Sequence, residues 1–181
     1  MKIKTLEVAG IGPAVHAMRN PMDSWERSDT VHGQIGPKDM ELSDRLAKAG
    51  AEHAKHLRMI QVWAEVWAPR YWLMEADTYR MGVEKLSCST MHKLADRDLT
   101  SEDFELDEHA KNGETAWLMV DTLNEYLHNY KAYKAIGDFE TATEWWRALI
   151  QSLPQNYIQR RTYMFSYAAL RNIYNQRKGH K

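Results

Sequence analysis

The 181 residues suit a single domain, long enough to bury roughly two thirds of the surface its unfolded chain exposes. Charge is balanced, with 24 Lys and Arg against 25 Asp and Glu, so nothing argues for nucleic-acid binding through a basic face, and no nucleic-acid partner is expected. One cysteine excludes an intramolecular disulfide, MKIKTLEVAG lacks the apolar core of a signal peptide, and no run approaches ~18 apolar residues, so the expectation is a cytoplasmic protein with no membrane partner. The 7 Trp, 9 Tyr and 10 Met serve either an aromatic core and subunit contacts or flat ligand-stacking surfaces.

In chain order, residues 2–8 read as a first strand, followed by a turn at Gly10, Gly12 and Pro13 and a short helix over Ala14 to Arg19. Residues 20–38, punctuated by Asn20-Pro21, Gly33 and Gly36-Pro37, read as a loop long enough to be functional or mobile. Asp39 is placed to cap a helix running to about His56, with Leu42, Leu46 and Ala49 inward and a break at Gly50. Then Ile60, Val62, Ala64, Val66 and Ala68 alternate with Gln61, Trp63, Glu65 and Trp67, the period of two of a strand, ended by Pro69. A helical stretch from Tyr71 to Tyr79 leads to a turn at Arg80, Met81 and Gly82 and to Ser87-Cys88-Ser89-Thr90. Residues 95–108 read as a solvated acidic loop. Trp117, Val120, Leu123, Leu127 and Tyr130 mark one amphipathic helix ending near Gly137; Phe139, Ala142, Trp145, Trp146, Leu149 and Ile150 mark another, closed before Pro154.

Two segments carry a family resemblance. In the first, a strand closes on Ala68-Pro69, a triplet reads Thr78-Tyr79-Arg80, and a seven-residue spacer leads to Cys88, Ser89 and Thr90. In the second, Leu153-Pro154, Asn156, Arg160, Leu170, Asn172 and Arg177 keep the spacing of a Leu-Pro-x-Asn turn, a strand with an early Arg, and a helix Asn-x-Arg-x-Leu-x-Asn-x-x-x-x-Arg. Ser166 and Ala168 replace the first Asn and the Arg of that helix. The pairing resembles the flavin-dependent thymidylate synthases, the ThyX family, whose triplet is Arg-His-Arg and whose spacer ends on Ser-Gly-Arg. Ala49-Gly50-Ala51-Glu52-His53 stands where the family has a His-Gly-His-Glu-type segment that touches the flavin.

The resemblance implies an α+β fold over residues 1–181, an antiparallel sheet flanked by helices, assembled as a homo-oligomer, specifically a homotetramer with sites between subunits. It implies methylation of dUMP with methylenetetrahydrofolate as carbon donor and NADPH-reduced FAD as hydride carrier. It assigns Arg80, Ser87, Cys88, Ser89 and Arg177 to a deoxyuridine or related pyrimidine nucleotide, and Tyr79, Arg80 and Asn172 to the flavin. Arg147 falls one helical turn from a further substrate Arg of the family. Thr78 and Thr90 replace Arg outright and remove two cations from the anion site. Cys88 is either a thiolate nucleophile beside a pyrimidine ring or a small side chain in a tight turn. Glu52, His53 and His56 begin a metal-ligand set, but no HExxH or CxxC pattern completes it, and no metal is expected. Two functions stay open: a divergent flavin-dependent thymidylate synthase, and a non-catalytic nucleotide-binding or interaction protein that has lost FAD binding.

Overall fold

The period-two run is a strand buried along its apolar face. In the computed structural model of the protein, which describes residues 1–111 and 113–179, Gln61–Pro69 form a strand whose Val62, Ala64, Val66 and Ala68 are buried, with Ile60 buried just before it. Gln61, Trp63, Glu65 and Trp67 are half-buried, so both faces are covered, as an interior position in a sheet requires. Among the described residues four strands pair: β1 (Lys2–Ala9), β2 (Gln61–Pro69), β3 (Val83–Ser87) and β4 (Ile158–Ser166), in the order β1-β2-β4-β3. Neighbours run antiparallel. The Arg70 N–H donates to the Tyr157 carbonyl while the Tyr167 N–H donates to that of Ile60; Cys88 donates to Arg160 while Ser166 donates to Gly82. At the edge, Lys2 Nζ lies 4.9 Å from the Trp67 ring centroid, and Gly10, with φ 83°, abuts the Met59 carbonyl so closely that no Cβ fits there.

The helices are α1 (Ile11–Ala17), α2 (Pro37–Lys48), α3 (Arg70–Ala76), the single turns α4 (Thr90–Lys93) and α5 (Glu108–Lys111), α6 (Glu114–Ala135), α7 (Phe139–Ser152) and α8 (Tyr167–Arg177). No helix among the described residues is long and apolar enough to cross a membrane. These residues pack as two compact units, one of Met1–Lys2, Trp67–Ala76 and Ser87–Arg161, the other of Ile3–Val66, Asp77–Leu86 and Thr162–Lys181.

In the first unit α6 and α7 close over Leu94, Leu99 and Phe104, which pack with Val120, Leu123, Leu127, Leu149 and Leu153. The acidic 95–108 stretch is therefore anchored rather than merely solvated. Asn124 holds it, its Oδ1 accepting the Leu99 N–H at 2.8 Å and its amide donating to the Leu99 carbonyl at 2.9 Å. Trp117 and Phe139, expected inward, are 60% and 66% exposed; Ala116 and Ala142 are the buried residues in those turns.

In the second unit α1 begins at Ile11, three residues earlier than expected, because the left-handed Gly10 turns the chain directly into the helix. The 20–38 stretch forms two 3₁₀ turns, Asn20–Met22 and Trp25–Arg27, organised by Asp39. Asp39 is not the expected cap. It lies in the first turn of α2, fully buried, and accepts hydrogen bonds from Arg19 Nε at 2.7 Å, Ser28 Oγ at 2.6 Å and Thr30 Oγ1 at 2.7 Å. The break at Gly50 occurs with φ 116°, after which a 3₁₀ turn, Ala54–Arg58, buries His56 against Ser43 at 2.8 Å. α3 ends three residues before Tyr79, and β3 follows where no strand was expected; only its Val83 is half-buried, so it offers no apolar alternation to read.

Burial opposes ionisation of Asp39, but the donors from Ser28, Thr30 and Arg19 and the Arg19 charge outweigh it and lower its pKa from 3.8 to about 2. A depressed carboxylate stabilises the fold above its unfolded pKa, and that contribution falls away as pH drops from about 3.8 towards 2. Burial also pulls the His56 imidazole below its usual 6.5, so its neutral form begins to cost stability as pH falls below that value. Acid titration followed by circular dichroism should show weakening in both windows. The Asp39→Asn change, which leaves Arg19 buried without its counter-charge, should cost about 3–5 kcal/mol in urea unfolding and abolish the lower window.

Candidate functional site

Chain geometry at the end of β4 sets the site. Ser166 starts α8 as its N-cap, its Oγ accepting the Ala169 N–H at 3.2 Å, so the residue that departs from the family pattern has a structural job. The Ser166 N–H reaches back to the Gly82 carbonyl at 2.8 Å. Gly82 has φ 70°, and a Cβ there would lie 2.5 Å from Ser166 Oγ, so only glycine lets the 78–82 turn approach so closely. Ala169, Asn172 and Gln176 recur at helical spacing along α8 and face Thr78, Tyr79, Arg80 and Met81 across a cleft of about 260 Å³.

The next residue, Arg177, donates its Nε–H to the Tyr79 hydroxyl at 2.9 Å, and its guanidinium carbon sits 5.8 Å from the Tyr79 ring centroid. Both are half-buried, whereas Arg80 and Asn172 are exposed at the cleft. The Asn172 Oδ1 accepts from Gln176 Nε2 at 3.0 Å. Of the expected residues, then, Tyr79, Arg80 and Asn172 line one cleft, and Arg177 touches Tyr79.

Ser87, Cys88 and Ser89 belong to the other unit. The half-buried Cys88 donates its N–H to the Arg160 carbonyl at 2.9 Å, and its own carbonyl accepts from Gln159 Nε2 at 3.1 Å. That same amide donates to Thr90 Oγ1 at 3.0 Å, and Ser89 Oγ lies 2.9 Å from His92 Nδ1. Gln159 thus holds the whole segment, a role no sequence motif signals. A hydrogen bond to Asp96 and that residue's charge raise the pKa of Lys93, which also interacts electrostatically with Cys88. Arg147 is exposed on α7 in this unit. Glu52 and His53 line a different, larger cavity of the second unit, and His56 is turned inward to Ser43. Among the described residues no three His, Cys, Asp or Glu side chains gather as a metal site.

The cleft offers one lining cation, Arg80, and the Tyr79 ring, suited to a planar ring or an anionic group. At about 260 Å³ it falls below the roughly 300–1,000 Å³ of pockets for drug-sized ligands. Its volume is that of one ring system or one phosphate group. Ser166→Ala should cost about 1 kcal/mol through the lost cap, and Gly82→Ala about 1–2 kcal/mol through its left-handed backbone plus the Ser166 clash. Combining them should cost less than the sum, because removing Oγ relieves the clash; urea unfolding of all four proteins measures that coupling.

No protein-family model matches the chain, and no curated protein matches it. Solved structures do. Thymidylate synthase X from Helicobacter pylori, crystallised with FAD and dUMP, aligns with a TM-score of 0.71 at 18% identity, over 99% of this chain and 85% of that one. A further structure of flavin-dependent thymidylate synthase ThyX from Helicobacter pylori, complexed with FAD and dUMP, aligns with a TM-score of 0.67 at 18% identity, over 100% of this chain and 86% of that one. The α+β fold, an antiparallel sheet flanked by helices, is that of the flavin-dependent thymidylate synthases.

Proposed function

We propose that the protein is a divergent relative of the flavin-dependent thymidylate synthases that binds a pyrimidine deoxynucleotide, dUMP or a close analogue. The observation that carries this reading is the Arg177–Tyr79 hydrogen bond at 2.9 Å, which joins the two resemblance segments beside Arg80 and Asn172. Arg177 presents a planar donor group for a base carbonyl, Arg80 a cation for a phosphate, and Tyr79 a ring face for stacking. Ser87, Cys88 and Ser89 are assigned to the same nucleotide on the strength of the resemblance. The family's flavin, when bound, carries hydride to the substrate. The resemblance places the family's sites between subunits, so a homo-oligomer, a homotetramer in the family's arrangement, would bring residues of other copies to the flavin.

A second reading, a nucleotide-binding protein without flavin chemistry, is favoured by Thr78 and Thr90. Two cations are absent, and each charge-assisted contact is worth about 1.5–3 kcal/mol. Tyr79 and Asn172 also spend polar groups on Arg177 and Gln176.

Thermal unfolding with dUMP, with FAD, and with both separates the readings. At about 100 times its dissociation constant dUMP should stabilise the protein by about 2.7 kcal/mol, and Arg177→Ala should weaken its binding by about tenfold or more. A yellow protein stabilised by FAD supports the synthase-like reading; a colourless one that responds to dUMP alone supports the second. No response to either ligand refutes both.

A further inference from the structure

In the first unit, the turn from Cys88 to Lys93 sets a serine against an imidazole. Ser89 Oγ lies 2.9 Å from His92 Nδ1, and both residues are exposed. Beside them the half-buried Thr90 accepts the Gln159 Nε2–H at 3.0 Å, which leaves the threonine hydroxyl hydrogen to donate. Among the described residues that hydrogen and His92 Nε2 meet no partner. The neighbouring Asp96 carboxylate is taken by Lys93 Nζ at 2.9 Å. Ser89, Thr90 and His92 thus gather hydrogen-bonding side chains on a single turn, an array suited to an anion.

Protonation changes what this array offers. With the imidazole neutral and its hydrogen on Nε2, Nδ1 accepts the Ser89 hydroxyl hydrogen, which is then spent inside the protein. With the imidazole charged, Nδ1–H donates to Ser89 Oγ instead, and the hydroxyl hydrogen turns outward to a ligand. A single proton thus adds a cation and frees a donor at the same place. The other titratable and charged groups around the turn are Cys88, Lys93 with Asp96, and, on the side of β4, Tyr157 and Arg160. Burial pushes the Tyr157 hydroxyl above its usual 10, and the hydrogen bond to Asp96 raises Lys93, so neither changes charge near neutrality.

We propose that His92, with Ser89 and Thr90, binds the phosphate of the nucleotide and tightens its hold on protonation, a titratable cation in place of the arginine that Thr90 replaces. The inference rests on the nucleotide reading above, which assigns Ser89 to the ligand, and adds to it a charge that pH controls.

The test titrates dUMP calorimetrically into the full-length protein at about pH 6 and about pH 8, with deoxyuridine as the ligand that lacks the phosphate. His92→Gln keeps a donor for Ser89 but takes no charge. Wild type should bind dUMP about tenfold more tightly than His92→Gln at the lower pH, and the gap should close at the higher. The phosphate itself titrates near about pH 6, so the comparison runs between proteins at each pH. At about pH 7 the wild type should also take up more protons from the buffer on binding than the variant does, because proton and ligand favour each other. His92→Lys, permanently charged, should bind dUMP at the higher pH about tenfold more tightly than His92→Gln. Deoxyuridine should bind all three proteins alike, and the exposed position should leave their unfolding temperatures equal. Equal dUMP affinities of wild type and His92→Gln at both pH values overturn the proposal and leave the nucleotide reading standing, as does a loss that deoxyuridine shares. Failure of the wild type to bind dUMP at either pH overturns that reading and this proposal with it.

Discussion

One backbone hydrogen bond holds the candidate cleft in register. The Ser166 N–H meets the Gly82 carbonyl at 2.8 Å, and the same serine caps α8. The turn carrying Thr78, Tyr79 and Arg80 and the helix carrying Asn172 and Arg177 are thereby fixed at one shared point. Neither could shift without unmaking a hydrogen bond of the buried Ser166, and a buried donor is costly to leave unpaired. The left-handed Gly82 is the steric condition for this approach. The arrangement uses residues that are not themselves placed to touch a ligand, so the scaffold can persist while the letters around it change.

Several of those letters differ from the resembled motif. Thr78 and Thr90 stand where the resemblance has arginines, and Tyr79 where it has a histidine. The Arg177 guanidinium donates to the Tyr79 hydroxyl, which helps to orient it. Arg80 lines the Tyr79–Asn172 cleft and supplies positive charge there.

Much of the fold could be read in the sequence, because apolar periodicity reports burial. The β2 alternation and the Val120–Leu123–Leu127 stripe of α6 depend on which residues leave water, the stop before Pro154 on proline sterics, and all are found in the structure. Edge strand β3 escaped because it is mostly exposed. Asp39 was misjudged for a related reason. A carboxylate near a helix start looks like a cap, and only the distant donors Arg19, Ser28 and Thr30 explain why it is buried. For the site, spacing marked Tyr79, Arg80, Asn172 and Arg177. It could not mark Gln159, whose two hydrogen bonds to the Cys88–Thr90 segment arise from tertiary placement alone.

The Asp39 cluster also bears on how the second unit moves. A single carboxylate gathers Arg19, Ser28 and Thr30, so the strip between α1 and α2 has one common fastening in place of many weak ones. Amides along that strip should accordingly exchange with solvent deuterium together, as one opening event, and not fray outward from its tip.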